Sequence, residues 1–490
     1  MGDSWATLGV DLHLETGGGG ARTGVRRGLT DALRAAVRGG RLAPGTRLPS
    51  SRSLAVDLGI ARNTVADAYA DLVAEGWLTA RQGSGTRVAE RVSPADAKPG
   101  GRGSAVVTPV RTAPVRRRAG APTHDLKPGS PDLSSFPRAE WLKAARRAVA
   151  AAPNDAFGYA GPRGRVELRE ALAGYLARAR GVYAEPDRIV ITAGFVQALS
   201  LLGRVLRRRG LRDMTVESYG LDIHWDLLHR EGLRTAPLDF DELGTVTEGL
   251  GRGVGGGGGA RGASKAVLLT PAHQFPMGVP LHPDRRAAAV DWARREGGLI
   301  LEDDYDGEFR YDRQPVGALQ GLDPERVVYL GTASKSLAPS LRLGWMVVPS
   351  GLIDDVLGEK DAAHWSCGAL DQLTLAEFLT SGAYDRHVRG ARLRYRRRRD
   401  QLVEALAARA PEVRATGIAA GLHAVLELPP GTEQSVVQAA NWERLAVQGL
   451  TRFRHPLAKT PRQDALVVGY GTPAEHGWAG ALDALCRVLP

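Results

Sequence analysis

Residues 327–349 read VVYLGTASKSLAPSLRLGWMVVP. Val327–Leu330 is a short, uninterrupted apolar run of the kind that forms a strand covered on both faces, and the small polar residues after it end the run. Lys335 lies in the loop that follows, with Thr332 and Ser334 before it and Arg342 seven residues after it. A lysine so placed can form an imine with an aldehyde, while hydroxyls and a guanidinium hold a phosphate. A lone lysine in a serine-rich loop is more often simply solvated, so this reading depends on what other segments bring to it.

Upstream, Ile189-Val190-Ile191, Ala266-Val267-Leu268-Leu269 and Leu299-Ile300-Leu301 are further short apolar runs separated by helical stretches. Their spacing predicts an α/β domain with a mostly parallel sheet, in which ligands gather beyond the carboxyl ends of the strands. Asp303 and Tyr305 follow the Leu299 run at once. A carboxylate there can pair with a protonated pyridine nitrogen, and the phenol can bond the oxygen beside an imine. Thr192-Ala193-Gly194-Phe195-Val196-Gln197 joins a strand to a helix and offers backbone N–H groups to an anion.

Ahead of this region the pattern is different. Leu29, Leu33, Ala36 and Val37 form one apolar helix face. A second helix carries Leu54, Ala55 and Leu58 and can be capped by Ser50 or Ser51. Gly59-Ile60-Ala61 makes a turn into a third helix with Val65, Tyr69, Leu72 and Val73 inward. Two short strands, Trp77–Thr79 and Thr86–Val88, flank Arg81–Gly85. Three helices and a hairpin make a winged helix-turn-helix. Its third helix, if it enters a major groove, presents Arg62, Asn63 and Thr64 to base edges, while Arg52 meets the backbone.

At 490 residues the chain is too long for a single core. The expected division is a winged helix over 20–90, a linker over 91–123 rich in Pro, Gly and Arg, and an α/β domain over 124–490. The net charge of +11 is densest early. Residues 1–88 hold 11 basic against 8 acidic groups, residues 89–123 hold 7 against 2, and the remaining 367 hold 47 against 44. That bias suits a polyanionic partner at the amino-terminal end. Residues 249–262 contain nine glycines and read as a surface insertion. Two cysteines exclude a disulfide scaffold or a cysteine-rich zinc site. A mean hydropathy of −0.21, no long apolar run and no secretory start predict a cytoplasmic protein with no membrane partner.

The order RLPSSRSLAVDLGIARNTVADAYADLVAEGWL…GSGT resembles the DNA-binding domain of GntR-family bacterial repressors, a resemblance that covers roughly residues 25–88. The resemblance implies that Arg52, Arg62, Asn63, Thr64 and Gly83 contact double-stranded operator DNA. ITAGFVQAL, TPAHQFPMGVPL, LEDDYDGEFRY and GTASKSLAPSLRLGW resemble a fold-type-I domain of the class I aminotransferases, which has a large and a small subdomain and uses pyridoxal 5'-phosphate (PLP). YAGPRGRVELREALAGYLARARGV (159–182) agrees with it. So does 382–402, whose eight arginines between 386 and 399 belong, on this resemblance, to a helix of the small subdomain. The joined architecture is similar to the MocR/GabR regulators. It implies PLP held as an imine by Lys335, with Asp303, Tyr305, Gly194, Phe195, Thr332, Ser334, Arg342 and His273 around it. It further implies a domain-swapped homodimer in which Tyr159 reaches the partner's phosphate site, and a small-molecule effector that is PLP itself or an amine or amino acid. The alternative is a working aminotransferase carrying an ancillary DNA-binding module. A third reading is an aminotransferase fold that binds DNA but no cofactor.

Three departures stand out. Leu221 occupies the place of a ring-stacking tyrosine, with Tyr219 two residues away. Phe275-Pro276-Met277-Gly278 replaces an Asn-Pro-x-Gly segment, leaving His273 and Gln274 as polar candidates. The last strand, Ala465–Tyr470, lacks the arginine that binds a substrate carboxylate, and Arg462 is the nearby substitute. Losing one charge-assisted bidentate contact costs about 1.5–3 kcal/mol, which argues against efficient amino-acid transamination.

Overall fold

The computed structural model describes residues 22–81, 85–89, 122–251, 264–311, 316–363 and 367–490. They fall in two compact units, one before Pro114 and one after Val115. Most of the expected linker, most of the glycine-rich stretch and Gly83 lie outside the described residues.

In the first unit, helices Arg22–Arg38, Ser51–Leu58 and Arg62–Ala74 precede a hairpin of Leu78–Arg81 and Gly85–Val88. Leu29, Leu33, Leu54, Val65, Leu72, Leu78 and Val88 share one core. The second helix starts where Ser50 accepts a bond from the Ser53 N–H at 3.1 Å and ends at Gly59, whose φ of 64° needs no Cβ. Tyr69 donates to the Pro49 carbonyl at 3.0 Å and pins the third helix to the preceding loop.

The second unit is built on a seven-stranded sheet. Its order is Ile189–Thr192, Gly344–Val347, Val327–Thr332, Leu299–Asp303, Ala266–Leu269, Asp213–Glu217, Arg234–Leu238. Gly344–Val347 runs antiparallel to both neighbours, and the other pairings are parallel. The strands are buried on both faces because helices cover them, which is why they read as unbroken apolar runs. Pairing of Asp303 with Leu330, Thr332 with Gly344 and Gly344 with Thr192 brings the carboxyl ends of three parallel strands to one edge.

A four-stranded antiparallel sheet, Arg414–Thr416, Ala424–Glu427, Ala465–Val468 and Gln448–Gly449, forms a second layer with helices Ala383–Arg409 and Trp478–Val488. The arginine-rich stretch 386–399 lies in the first of these helices. Arg398 is buried there, bonded to Asp132 at 3.1 Å and to Glu475 at 2.8 Å. Among the described residues no helix is long and apolar enough to cross a membrane.

Candidate functional site

A cavity of about 590 Å³ opens at the carboxyl ends of the parallel strands, with Glu217, Thr270, Asp303 and Thr332 in its wall. Alternation along the extended chain explains which acids reach it. Asp303 and Tyr305, two residues apart, both line the cavity. Their neighbours turn elsewhere: Glu302 accepts from the Leu319 and Gln320 N–H groups, and Asp304 binds Arg180 at 2.6 and 2.9 Å.

Lys335 enters the same cavity and donates to the Gly129 carbonyl at 2.6 Å. Burial lowers the affinity of its amine for a proton, against the pull of Asp303 and Asp306. Burial likewise pushes the Asp303 carboxyl well above the usual carboxylate range, against the opposing pull of Lys335. Asp303 Oδ1 is buried with no hydrogen-bond partner among the described residues. An orphaned buried acceptor is costly, and a protonated ring nitrogen is the donor that would satisfy it. The residues therefore fit PLP.

The end of the cavity near Arg342 is assembled from two loops. Thr332 Oγ1 donates to Ser334 Oγ at 2.8 Å and accepts from the Ser334 N–H at 3.1 Å. Arg342 has φ 50° and ψ 41°, the left-handed region that arginine rarely adopts, and its guanidinium donates to the Ala193 carbonyl at 2.5 Å. Gly194, with φ 87°, precedes the helix Phe195–Arg208, and a Cβ there would come within 3.2 Å of the Arg342 guanidinium. A helix start, two hydroxyls and a guanidinium are donors of the kind a phosphate needs.

His273 does not line the cavity. It sits behind Tyr305, its Nδ1 3.1 Å from the phenol oxygen and 2.8 Å from Asp306 Oδ2, so it touches the site through that phenol. Tyr159 is fully exposed and does not line this cavity either. Tyr219 lines it but packs against Phe240, with ring centroids 6.3 Å apart. His224 escaped sequence reasoning. It lies one helical turn beyond Leu221, lines the cavity and sets its ring at a tilt against that of Phe195, the centroids 4.7 Å apart. Burial and the nearby Lys335 push its pKa down to about 4, so the ring is neutral. The absent aromatic at 221 was the signal pointing to it. Gly129 carried no local signal.

In the first unit Arg52, Arg62 and Asn63 are exposed at the starts of the second and third helices, and Thr64 is half-buried.

Residues 26–88 match the bacterial regulatory proteins of the gntR family, and residues 125–220 and 248–462 match aminotransferase class I and II. The pyridoxine biosynthesis transcriptional regulator PdxR of Corynebacterium glutamicum is 32% identical over 457 residues, covering 92% of this chain and 93% of that protein. The probable rhizopine catabolism regulatory protein MocR of Rhizobium meliloti is 33% identical over 460 residues, covering 91% and 90%. This chain belongs to the MocR-type transcription regulators. Their aminotransferase-like unit is also seen in an archaeal alanine:glyoxylate aminotransferase, 26% identical with a TM-score of 0.67 over 75% of this chain and 90% of that one. DNA binding follows from the helix-turn-helix, and the second unit has the fold of enzymes that typically use PLP.

Proposed function

We propose that this MocR-type regulator holds PLP in its second unit and binds operator DNA as a homodimer, with the state of the cavity setting its affinity for the duplex. The observation that carries this reading is the orphaned Asp303 Oδ1 in one cavity with Lys335 and Arg342. When bound, PLP supplies an aldehyde that captures amines and a ring that withdraws electrons.

Lys335 anchors the aldehyde, and its lowered proton affinity leaves more of the amine unprotonated and nucleophilic. Asp303 keeps the ring nitrogen protonated. Tyr305, steadied by the His273–Asp306 pair, donates at the ring oxygen. Gly194, Phe195, Thr332, Ser334 and Arg342 hold the phosphate, and Tyr159 completes the partner's phosphate site in a domain-swapped dimer. Arg52, Arg62, Asn63, Thr64 and Gly83 face the duplex. An effector, PLP or a small amine or amino acid, shifts the regulator by its differential affinity for two arrangements of the dimer.

Footprinting of the upstream region with and without PLP tests the coupling, and an unchanged footprint counts against it. Lys335→Ala removes the absorbance at the visible edge that the loaded protein shows. A mutant retaining that band rules out Lys335 as the anchor.

A further inference from the structure

The part of the cavity beyond the cofactor-holding groups has a chemistry of its own. From Tyr305 an aromatic wall continues to Phe275, whose ring lies 5.9 Å from that of Tyr305, and on to Phe453 at 5.3 Å and His423 at 5.1 Å. Leu221, Ile223 and Leu422 also line the cavity. Behind the wall runs the strand Ala465–Val468. Its Ala465 and Val467 pack with Tyr219, Phe453 and Phe275, while Leu466 and Val468 face the other core. The strand face behind the wall thus carries Ala465 and Val467, both buried, and brings no guanidinium toward the cavity. His423 accepts no charge readily: burial and the neighbouring His273 push its pKa down to about 4. The Lys127 ammonium, also in the lining, lies 3.8 Å from the Asp125 carboxylate, so its charge is shared with a partner.

Resting on the reading that Lys335 holds an aldehyde cofactor, which reacts with primary amines, we propose that this cavity takes an apolar primary amine without a carboxylate, its aromatic or alkyl body lying against Phe275 and Phe453. The carboxylate of an amino acid with the same body would lose its water against uncharged rings. The aromatic wall instead offers an apolar body stacked and edge-on contacts.

The test uses the full-length protein loaded with PLP and two probes of equal body, phenethylamine and phenylalanine. Two signals are read: the absorbance at the visible edge and the affinity for a labelled fragment of the upstream region. Phenethylamine is expected to reach half its effect at a concentration about tenfold or more below that of phenylalanine. An equal or lower midpoint for phenylalanine, or no response to phenethylamine, overturns the proposal while leaving the cofactor reading intact. A protein that stays colourless with added PLP overturns the cofactor reading and the proposal with it. Phe453→Arg, which sets a guanidinium in the wall, is expected to invert the preference toward phenylalanine. A folded variant that keeps the original preference counts against this wall as the ligand's seat. Should the variant not fold, the comparison of the two probes on the unaltered protein decides alone.

Discussion

In the amino-terminal unit Arg52 and Arg62 stand in solvent at the starts of successive helices, whereas in the carboxy-terminal unit Arg180 and Arg398 are sealed among carboxylates and carbonyls. The same side chain does opposite work. Exposed guanidinium groups keep their water until a polyanion displaces it, so they add to recognition and little to folding. Buried ones have already exchanged water for fixed partners, so they hold chain segments together and are unavailable to a ligand. Within the run 386–399, Arg398 is of the buried kind, whereas Arg386, Arg389, Arg392, Arg396 and Arg397 are exposed, so a dense run of arginine mixes both.

The contrast breaks most visibly at Arg398. Arg398→Ala leaves the buried Asp132 carboxylate without its cation and removes the contact over Trp478, 5.6 Å from the ring centroid. Loss of one partner of a buried pair costs about 3–5 kcal/mol. Calorimetry should show the transition of the second unit lowered by many degrees. A change within 1 °C or so would mean that the site collapses without cost.

Burial has a second consequence in the same unit, and it carries a sign. Glu308, which accepts from Tyr384 at 3.2 Å and Tyr175 at 3.4 Å, has its pKa raised to about 7 chiefly by burial. Glu217 and Glu302 are raised to about 7 for the same leading reason. A carboxyl that titrates higher folded than unfolded holds its proton preferentially in the folded state. Its contribution is complete below the ordinary carboxyl pKa and is lost as pH rises through about 7. Melting temperature should therefore fall between about pH 5 and about pH 8, and Glu308→Gln should flatten that slope. A variant with the parent's slope would show that Glu308 is charged in the folded protein.

The exposed side of the comparison sharpens with Arg62→Ala. Removing a guanidinium that reads a base edge weakens operator binding by about 1–3 kcal/mol and relaxes preference at one position. Melting of the protein should be unaltered. A weakening that is uniform across sequences, with a shallower salt dependence, would place Arg62 on phosphate instead.

How far these sites were legible depended on the range of the contacts that build them. Asp303 and Tyr305 were legible because they directly follow the apolar run at Leu299, and the end of such a run is a local pattern. Ser50 and Gly59 announced the ends of a helix for the same reason. The last two strands at one end of the sheet, Asp213–Glu217 and Arg234–Leu238, gave no comparable apolar run, since charge and a proline interrupt them. The reversal of Gly344–Val347 is a matter of tertiary pairing rather than of propensity. The carbonyl of Gly129 meets Lys335 across 206 residues, a distance over which no pattern reaches. Leu221 marked a missing ring, and only the helix that follows shows that His224 stands beside the gap.

The smallest effect concerns a group that belongs to neither class of arginine yet sets where Arg52 stands. Ser50 Oγ satisfies the Ser53 N–H, one of the donors left unpaired at the first turn of Ser51–Leu58. Ser50→Ala should cost about 1 kcal/mol of stability in the winged-helix unit, and Ser50→Asp should restore most of it. Because that helix is eight residues long, its end frays when the cap is lost, and the fraying reaches Arg52. A modest loss of operator affinity should then accompany the loss of stability and be recovered with it by aspartate. Should affinity fall while stability holds, Ser50 is touching the duplex rather than ordering the helix.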